Sequence, residues 1–316
     1  DLVRSRGLGD VYKRQGRYTN KQIQLDLARD ILAYVSDRDN VARPTMPVGY
    51  TIPQPNGQDS KWLIAWRKFE TFLDTGLPQW NIFKLDGNSK LNKSQQTGEF
   101  IVFSSLPLFT CPGAGDCLNW CYSFKSWRYP DAFFRQLQNT ILLMTSHGRK
   151  TIRRVFYGLP YGREFRLYVD GDFDSEETLG FWFNLLASRP DLNCYGYSKS
   201  WKLLIDWDNS GRPFPANYAL NASSGSKYNQ LMLERIKLLS CYRGTFDALP
   251  VSFKMPDRRK QAERFNVWAS ELRKTALDLG YGKVWVCPGQ CGDCTPIGHA
   301  CGSRKFQNVP VVIGLH

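Results

Sequence analysis

Cysteine is the residue whose spacing says most about chemistry in this chain. Cys111, Cys117 and Cys121 lie in CPGAGDCLNWC, a C-x5-C-x3-C arrangement on a glycine-containing stretch. So short and flexible a segment can turn three thiolates toward one centre. Three thiolates leave a coordination position open, which suits a [4Fe–4S] cluster with one iron free for a ligand, or a zinc ion completed from elsewhere. A second group comprises Cys287, Cys291 and Cys294 in CPGQCGDC, followed by His299 and Cys301. Its four cysteines suffice for a closed tetrahedral shell, with His299 able to replace one of them. The expectation is a reactive first group and a structural second group, with one shared centre as the alternative. Seven of the nine cysteines fall in these groups, leaving Cys194 and Cys241 apart. Clustering of this kind, in a chain showing no secretion signal, points to metal and to a reducing cytosol.

Three further stretches place polar residues where strands should end. In YVDGDFDS (168–175), Gly171 allows close backbone approach to a ligand, and Asp172 can bind a ribose or activate a nucleophile. Asp170 joins it as a ligand-binding candidate, whereas Asp174 and Ser175 read as caps of the next helix. In YSKSW (197–201), Tyr197 and Lys199 follow the next strand, and a lysine there can hold phosphate or carboxylate. Asn221, with Ser223 and Ser224, takes the equivalent place one strand later. Asp172 and Lys199 are thus the catalytic candidates; Gly171, Asp170, Tyr197 and Asn221 are the ligand-binding ones. With only His147, His299 and His316, the chain carries no HExxH and no evident Ser-His-Asp set. GxxxxGK[ST] and GxGxxG are also missing, so hydrolase, P-loop and dinucleotide-dehydrogenase readings lose their support.

The elements that must position these residues alternate. Strand-like EFIVFSSL (99–106), EFRLYVDGDF (164–173), LNCYGYSKS (192–200), NYALNAS (217–223), ALPVSF (248–253) and KVWVCPG (283–289) are interleaved with helical patterns over 130–144, 174–190, 226–240 and 257–279. Phe133, Phe134, Leu137, Ile141 and Met144 make one helical stripe. Repeated strand–helix units mean a parallel sheet with helical crossovers, either doubly wound or a partial or complete (β/α) barrel. The expected fold is α/β with a barrel-like parallel sheet, the partial barrel being favoured because polar residues recur at strand C-termini. Helical patterns at 19–37, with Ile23, Leu27, Ile31 and Tyr34 in register, and at 61–73 flank a stretch containing Pro44, Pro47, Pro53 and Pro55. Residues 16–95 therefore read as an N-terminal helical extension, and 96–316 as the α/β metal-binding domain.

Residues 1–15 (DLVRSRGLGDVYKRQ) read as an adaptor-like scar outside the natural protein. Setting them aside lowers the formal charge from +13 to +11. A basic chain with 10 Trp and 15 Tyr fits a nucleic-acid partner, since cations neutralise phosphate and aromatic rings stack on bases. No apolar run approaches the roughly 20 residues that a membrane helix needs.

CPGAGDCLNWCYSFKSWRYP (111–130), FRLYVDGDFDSEETLGFW (165–182), YGYSKSW (195–201) and VCPGQCGDC (286–294) together resemble the gene product 88 family of phages and related mobile elements. The likeness spans roughly residues 95–305. Where that family has a small residue before Gly-Asp-Phe this chain has Asp170, and Cys301 is followed by Gly302 rather than an aromatic. The resemblance implies a phage or prophage origin, a host cytoplasmic location and a shared metal centre. The chain is also similar in cysteine order to radical S-adenosylmethionine enzymes, which implies S-adenosylmethionine as a ligand beside the cluster. Two functions compete: an iron–sulfur protein of that architecture, and a non-enzymatic, zinc-stabilised nucleic-acid-binding protein. A structural or host-interaction role is the third.

Overall fold

The computed structural model describes residues 21–47, 50, 58–85, 100–258, 260–289, 291 and 299–315. The adaptor-like residues 1–15, Pro53, Pro55 and Cys294 lie outside them.

Among the described residues eight strands form one sheet: β1 (Lys84–Leu85), β2 (Phe100–Val102), β3 (Glu164–Leu167), β4 (Asn193–Ser198), β5 (Tyr218–Ser223), β6 (Tyr242–Pro250), β7 (Trp285–Val286) and β8 (Val311–Leu315). Their order is β1-β2-β3-β4-β5-β6-β8-β7, so the sheet is open rather than a closed ring. Among the described residues only β1 runs antiparallel to its neighbour. Helices α3 (Pro130–Met144), α4 (Ser146–Tyr157), α5 (Glu176–Ala187), α6 (Trp201–Asn209), α7 (Gln230–Lys237) and α8 (Ala262–Asp278) provide the crossovers. The expected α/β sheet of partial-barrel character is what the chain builds.

Period-two alternation decides what each sheet face buries. Ile101, Phe103, Phe165, Leu167, Cys194, Leu220 and Ala222 join the main core with residues of α3 to α7. Their alternates Phe100, Val102, Tyr195, Ala219 and Val311 pack on the other face against Ala300, Cys301, Cys287 and Cys291. Cys287, Cys291 and Cys301 therefore cover that inner face, and neither face of the sheet's centre is left to water.

The N-terminal helices α1 (Lys21–Ser36) and α2 (Lys61–Thr75) share this core rather than standing apart from it. Ser60 caps α2 by accepting from the Leu63 N–H, and Gly76 ends it in the left-handed conformation at φ 69°. Phe69 of α2 lies 5.1 Å from Phe134 of α3, centroid to centroid. Two stripe residues fall outside their expected faces: Ile23 and Met144 are 37% and 40% exposed. In α1 the buried face instead runs through Gln24, Leu27, Ala28 and Ile31.

Candidate functional site

The cysteine loop follows β2 and is clamped between the loops after β4 and β5. Its Gly115 and Cys117 N–H groups both donate to the Gly225 carbonyl at 3.1 Å, and its Gly113 carbonyl accepts from the Lys227 N–H at 3.0 Å. Glycine is required by the closeness of this packing. A Cβ on Gly113 would lie 1.7 Å from the Lys199 carbonyl oxygen, and one on Gly225 would lie 2.8 Å from the Cys117 nitrogen. Asp116–Asn119 and Tyr122–Arg128 form 3₁₀ turns that return the chain to α3.

Cys111 and Cys117 each lie within electrostatic reach of Cys121, Asp172 and Lys199. The thiols are free of disulfides. Burial pushes the Cys111 thiol well up from its ordinary pKa, the Asp172 carboxylate adds to that, and Lys199 opposes it. Cys117 is raised by burial too, with Lys199 again opposing and Cys121 adding. Buried thiols kept protonated are poor nucleophiles and poor metal ligands. Among the described residues, no three His, Cys, Asp or Glu side chains are arranged to hold a metal ion.

Asp172 is consumed by its surroundings. One carboxylate oxygen accepts from the Ser198 hydroxyl at 2.8 Å and the Phe173 N–H at 2.8 Å; the other accepts from the Lys199 N–H at 2.7 Å. Burial raises its pKa while these donors oppose the rise. Its geometry is that of a lock that fixes the β4–α6 turn, leaving Lys199 to extend and donate through Nζ to the Ser223 hydroxyl at 2.9 Å. Gly171, at φ 82°, does make a close approach, but toward Ser105 and Thr110: a Cβ there would lie 2.0 Å from the Ser105 hydroxyl. Asp170 is buried and accepts from the Gln136 amide at 3.0 Å. Ser175 caps α5, as expected of it.

Asn221 does not share an opening with Lys199. It is fully buried, donates to the Gly196 and Cys301 carbonyls at 3.1 and 3.0 Å, and accepts from Arg243 Nε at 2.9 Å. Tyr197 lies on the inner face against Phe246, with Cys291 and Cys301 in electrostatic reach. Cys287, Cys291 and Cys301 are brought to that face, while Cys294 lies outside the described residues. His299 is spent: Nδ1 accepts from the Gly302 N–H at 3.1 Å, so Nε2 carries the proton and donates to Glu164 at 2.7 Å.

Sequence reasoning missed Lys21, whose ammonium lies 3.2 Å from the centroid of Phe124 and whose pKa burial lowers to about 8, the nearby Cys121 opposing the shift. No periodicity could have joined it to a loop a hundred residues away. Arg166 was missed too, though an arginine between Phe165 and Leu167 in a doubly covered strand was a legible signal.

An open, parallel α/β sheet with a thiol-rich loop clamped at its C-terminal edge is the class that these features define. The chain belongs to the phage gene product 88 family: the model of gene product 88 matches residues 80–247. The matched stretch holds the first cysteine group, Asp172, Lys199 and Asn221, and ends short of the second cysteine group that the resemblance was expected to include. No curated protein and no solved structure matches the chain.

Proposed function

We propose that this phage protein binds a metal centre at Cys111, Cys117 and Cys121, and a small ligand beside it at the C-terminal edge of the sheet. What supports the reading is the clamp: two loops and two glycine contacts hold a segment with three free thiols, of which Cys111 and Cys117 lie in electrostatic reach of Lys199. The donor chemistry suits a [4Fe–4S] cluster, with zinc as the alternative. Loading it requires the thiols to lose their protons and turn from the arrangement described above. A cluster so held would supply one-electron chemistry to its ligand, S-adenosylmethionine being the one that the cysteine pattern implies. The chain's own part is positional: Asp172 fixes the turn, Lys199 offers a cation to an anionic group, and the buried surroundings exclude water. Cys287, Cys291, Cys294 and Cys301 are assigned a structural site.

Anaerobic purification with iron, zinc and acid-labile sulfide analysis tests this. Iron with sulfide, lost in Cys121→Ala with the fold intact, is the expected result; absence of both metals from the folded protein sinks it.

A second reading rests on a different surface. Arg149, Arg153 and Arg212 line a groove of about 800 Å³ together with Phe181, Trp207 and Phe214, Arg149 being paired with Glu177 and Arg212 with Glu176 in the same lining. Cations over aromatic rings, as with Arg212 at 3.9 Å from the Trp207 ring, suit single-stranded nucleic acid. Binding of a labelled oligonucleotide that weakens with salt, and is lost in an Arg153→Ala, Arg212→Ala double variant, would favour it.

A further inference from the structure

Arg166 is the charged residue of the inner face that the site above does not use. It stands on β3 between Phe165 and Leu167, which face the helix-covered core, so its side chain lies on the opposite face. Its guanidinium carbon lies 4.9 Å from the Tyr197 ring centroid, and Tyr122, Tyr195, Tyr197 and Cys291 form its electrostatic surroundings. Asp170 is within electrostatic reach, but its carboxylate is held by Gln136 and by the Ser104 and Ser123 hydroxyls. Among the described residues the Arg166 fork has no carboxylate at ion-pair distance and no hydrogen-bond acceptor, and its Nε is enclosed without a partner.

The residue paired with Arg166 on the next strand is Tyr195. It is fully buried, and its hydroxyl has no partner either. Two adjacent strands thus present a cation with unused donors beside a phenol with an unused donor. Unbonded buried polar groups are destabilising, and a fold keeps them where something else completes them. The flanking residues in the same row, Val102 and Ala219, are apolar and offer no competing acceptor.

We propose that Arg166 and Tyr195 form an oxyanion site on the inner face of the sheet, taking the carboxylate or phosphate group of a small molecule. A guanidinium fork matches two oxygens of either group, and Tyr195 supplies a third donor. The Tyr197 ring under the guanidinium favours its cationic form. Anion recognition here draws on no metal at the cysteines, although Cys291 lies in the same surroundings.

Inorganic phosphate and acetate, each titrated at constant ionic strength against chloride, are the probes, and the melting temperature of the full chain is the readout. Arg166→Met keeps the side-chain length and removes the fork; Tyr195→Phe removes only the hydroxyl. The expected result is a saturable rise in melting temperature with at least one probe. That rise should need roughly tenfold more anion in Tyr195→Phe, the worth of one charge-assisted hydrogen bond, and be absent in Arg166→Met. Response to phosphate alone assigns a phosphate-bearing ligand, and to acetate alone a carboxylate. If Arg166→Met does not fold, Arg166→Lys carries the test, keeping the charge and weakening the response. A parent that responds to neither anion, or variants that respond as the parent does, overturn the proposal.

Discussion

Replacing Gly113 by alanine should unseat the cysteine loop. The added Cβ would lie 1.7 Å from the Lys199 carbonyl oxygen, 2.2 Å from its carbon and 2.9 Å from the Ser200 nitrogen. Ordinary contact is about 3.5 Å, so the two loops must separate by well over an ångström. Every clashing atom is backbone, so no rotamer change can relieve it. The acceptor at risk is the Gly113 carbonyl, which takes the Lys227 N–H at 3.0 Å and the Ser226 hydroxyl at 3.2 Å. Two hydrogen bonds at about 1 kcal/mol each, with an overpacking cost of about 1–3 kcal/mol, give a destabilisation of about 3–5 kcal/mol. For a chain of this size that lowers the melting temperature by roughly 5–10 °C. The assay is thermal melting by circular dichroism, with the alkylation rates of Cys111, Cys117 and Cys121 followed by mass spectrometry; both should respond. Gly282→Ala, where a Cβ meets nothing within 4 Å, is the control and should be near neutral. A Gly113→Ala protein that melts with the parent and alkylates no faster would refute the clamp.

Asn221→Ala should cost about 2–3 kcal/mol in urea unfolding, because it strips a fully buried Arg243 of its side-chain acceptor and frees the Cys301 carbonyl. Asp191→Asn should destabilise at pH 7 by about 1–2 kcal/mol, since Arg189 grips both carboxylate oxygens at 2.8 Å and holds the Asp191 pKa down at about 2. A depressed carboxylate stabilises the fold above its unfolded value near 3.8 and loses that contribution as pH falls toward 2. The gap between parent and Asp191→Asn must therefore close on acidification, and a gap constant from pH 7 to 2 contradicts the assignment. Cys294→Ala should lower the melting temperature and the metal content together, whereas Cys121→Ala should lose metal without losing the fold; the opposite pattern reverses the two roles.

Alternation of short apolar runs with amphipathic stretches made the sheet legible, and α3 falls at the expected 130–144. The crossovers α4 and α6 went unread: α4 is dense in Arg and Lys, and α6, Trp201–Asn209, is too short for a periodic stripe. β6 begins at Tyr242 rather than Ala248, because Arg243 and Asp247 are poor strand signals until their buried partners are known. The site was legible where spacing is local. CPGAGDCLNWC announced a shared loop, and the strand-end positions brought Asp172 next to Lys199. What no local pattern carries is which acceptor a polar group finds. Asn221 resembles Lys199 by position, yet its amide is spent on the carbonyl of Cys301, eighty residues later.

The strand order has a consequence for synthesis. β7 pairs with β8 alone, and β6 finds its outer partner in β8, so the segment Val311–Leu315 joins two strands that cannot pair with each other. While the chain emerges, β6 remains an exposed ribbon edge, open to pairing with a neighbouring nascent copy. Trp285 and Val286, and Cys287 whose N–H donates to the Val312 carbonyl, have no sheet partner until those five residues arrive. A chain cut short before Val311 would keep the β6 edge open, and association of such truncated chains should exceed that of the full chain.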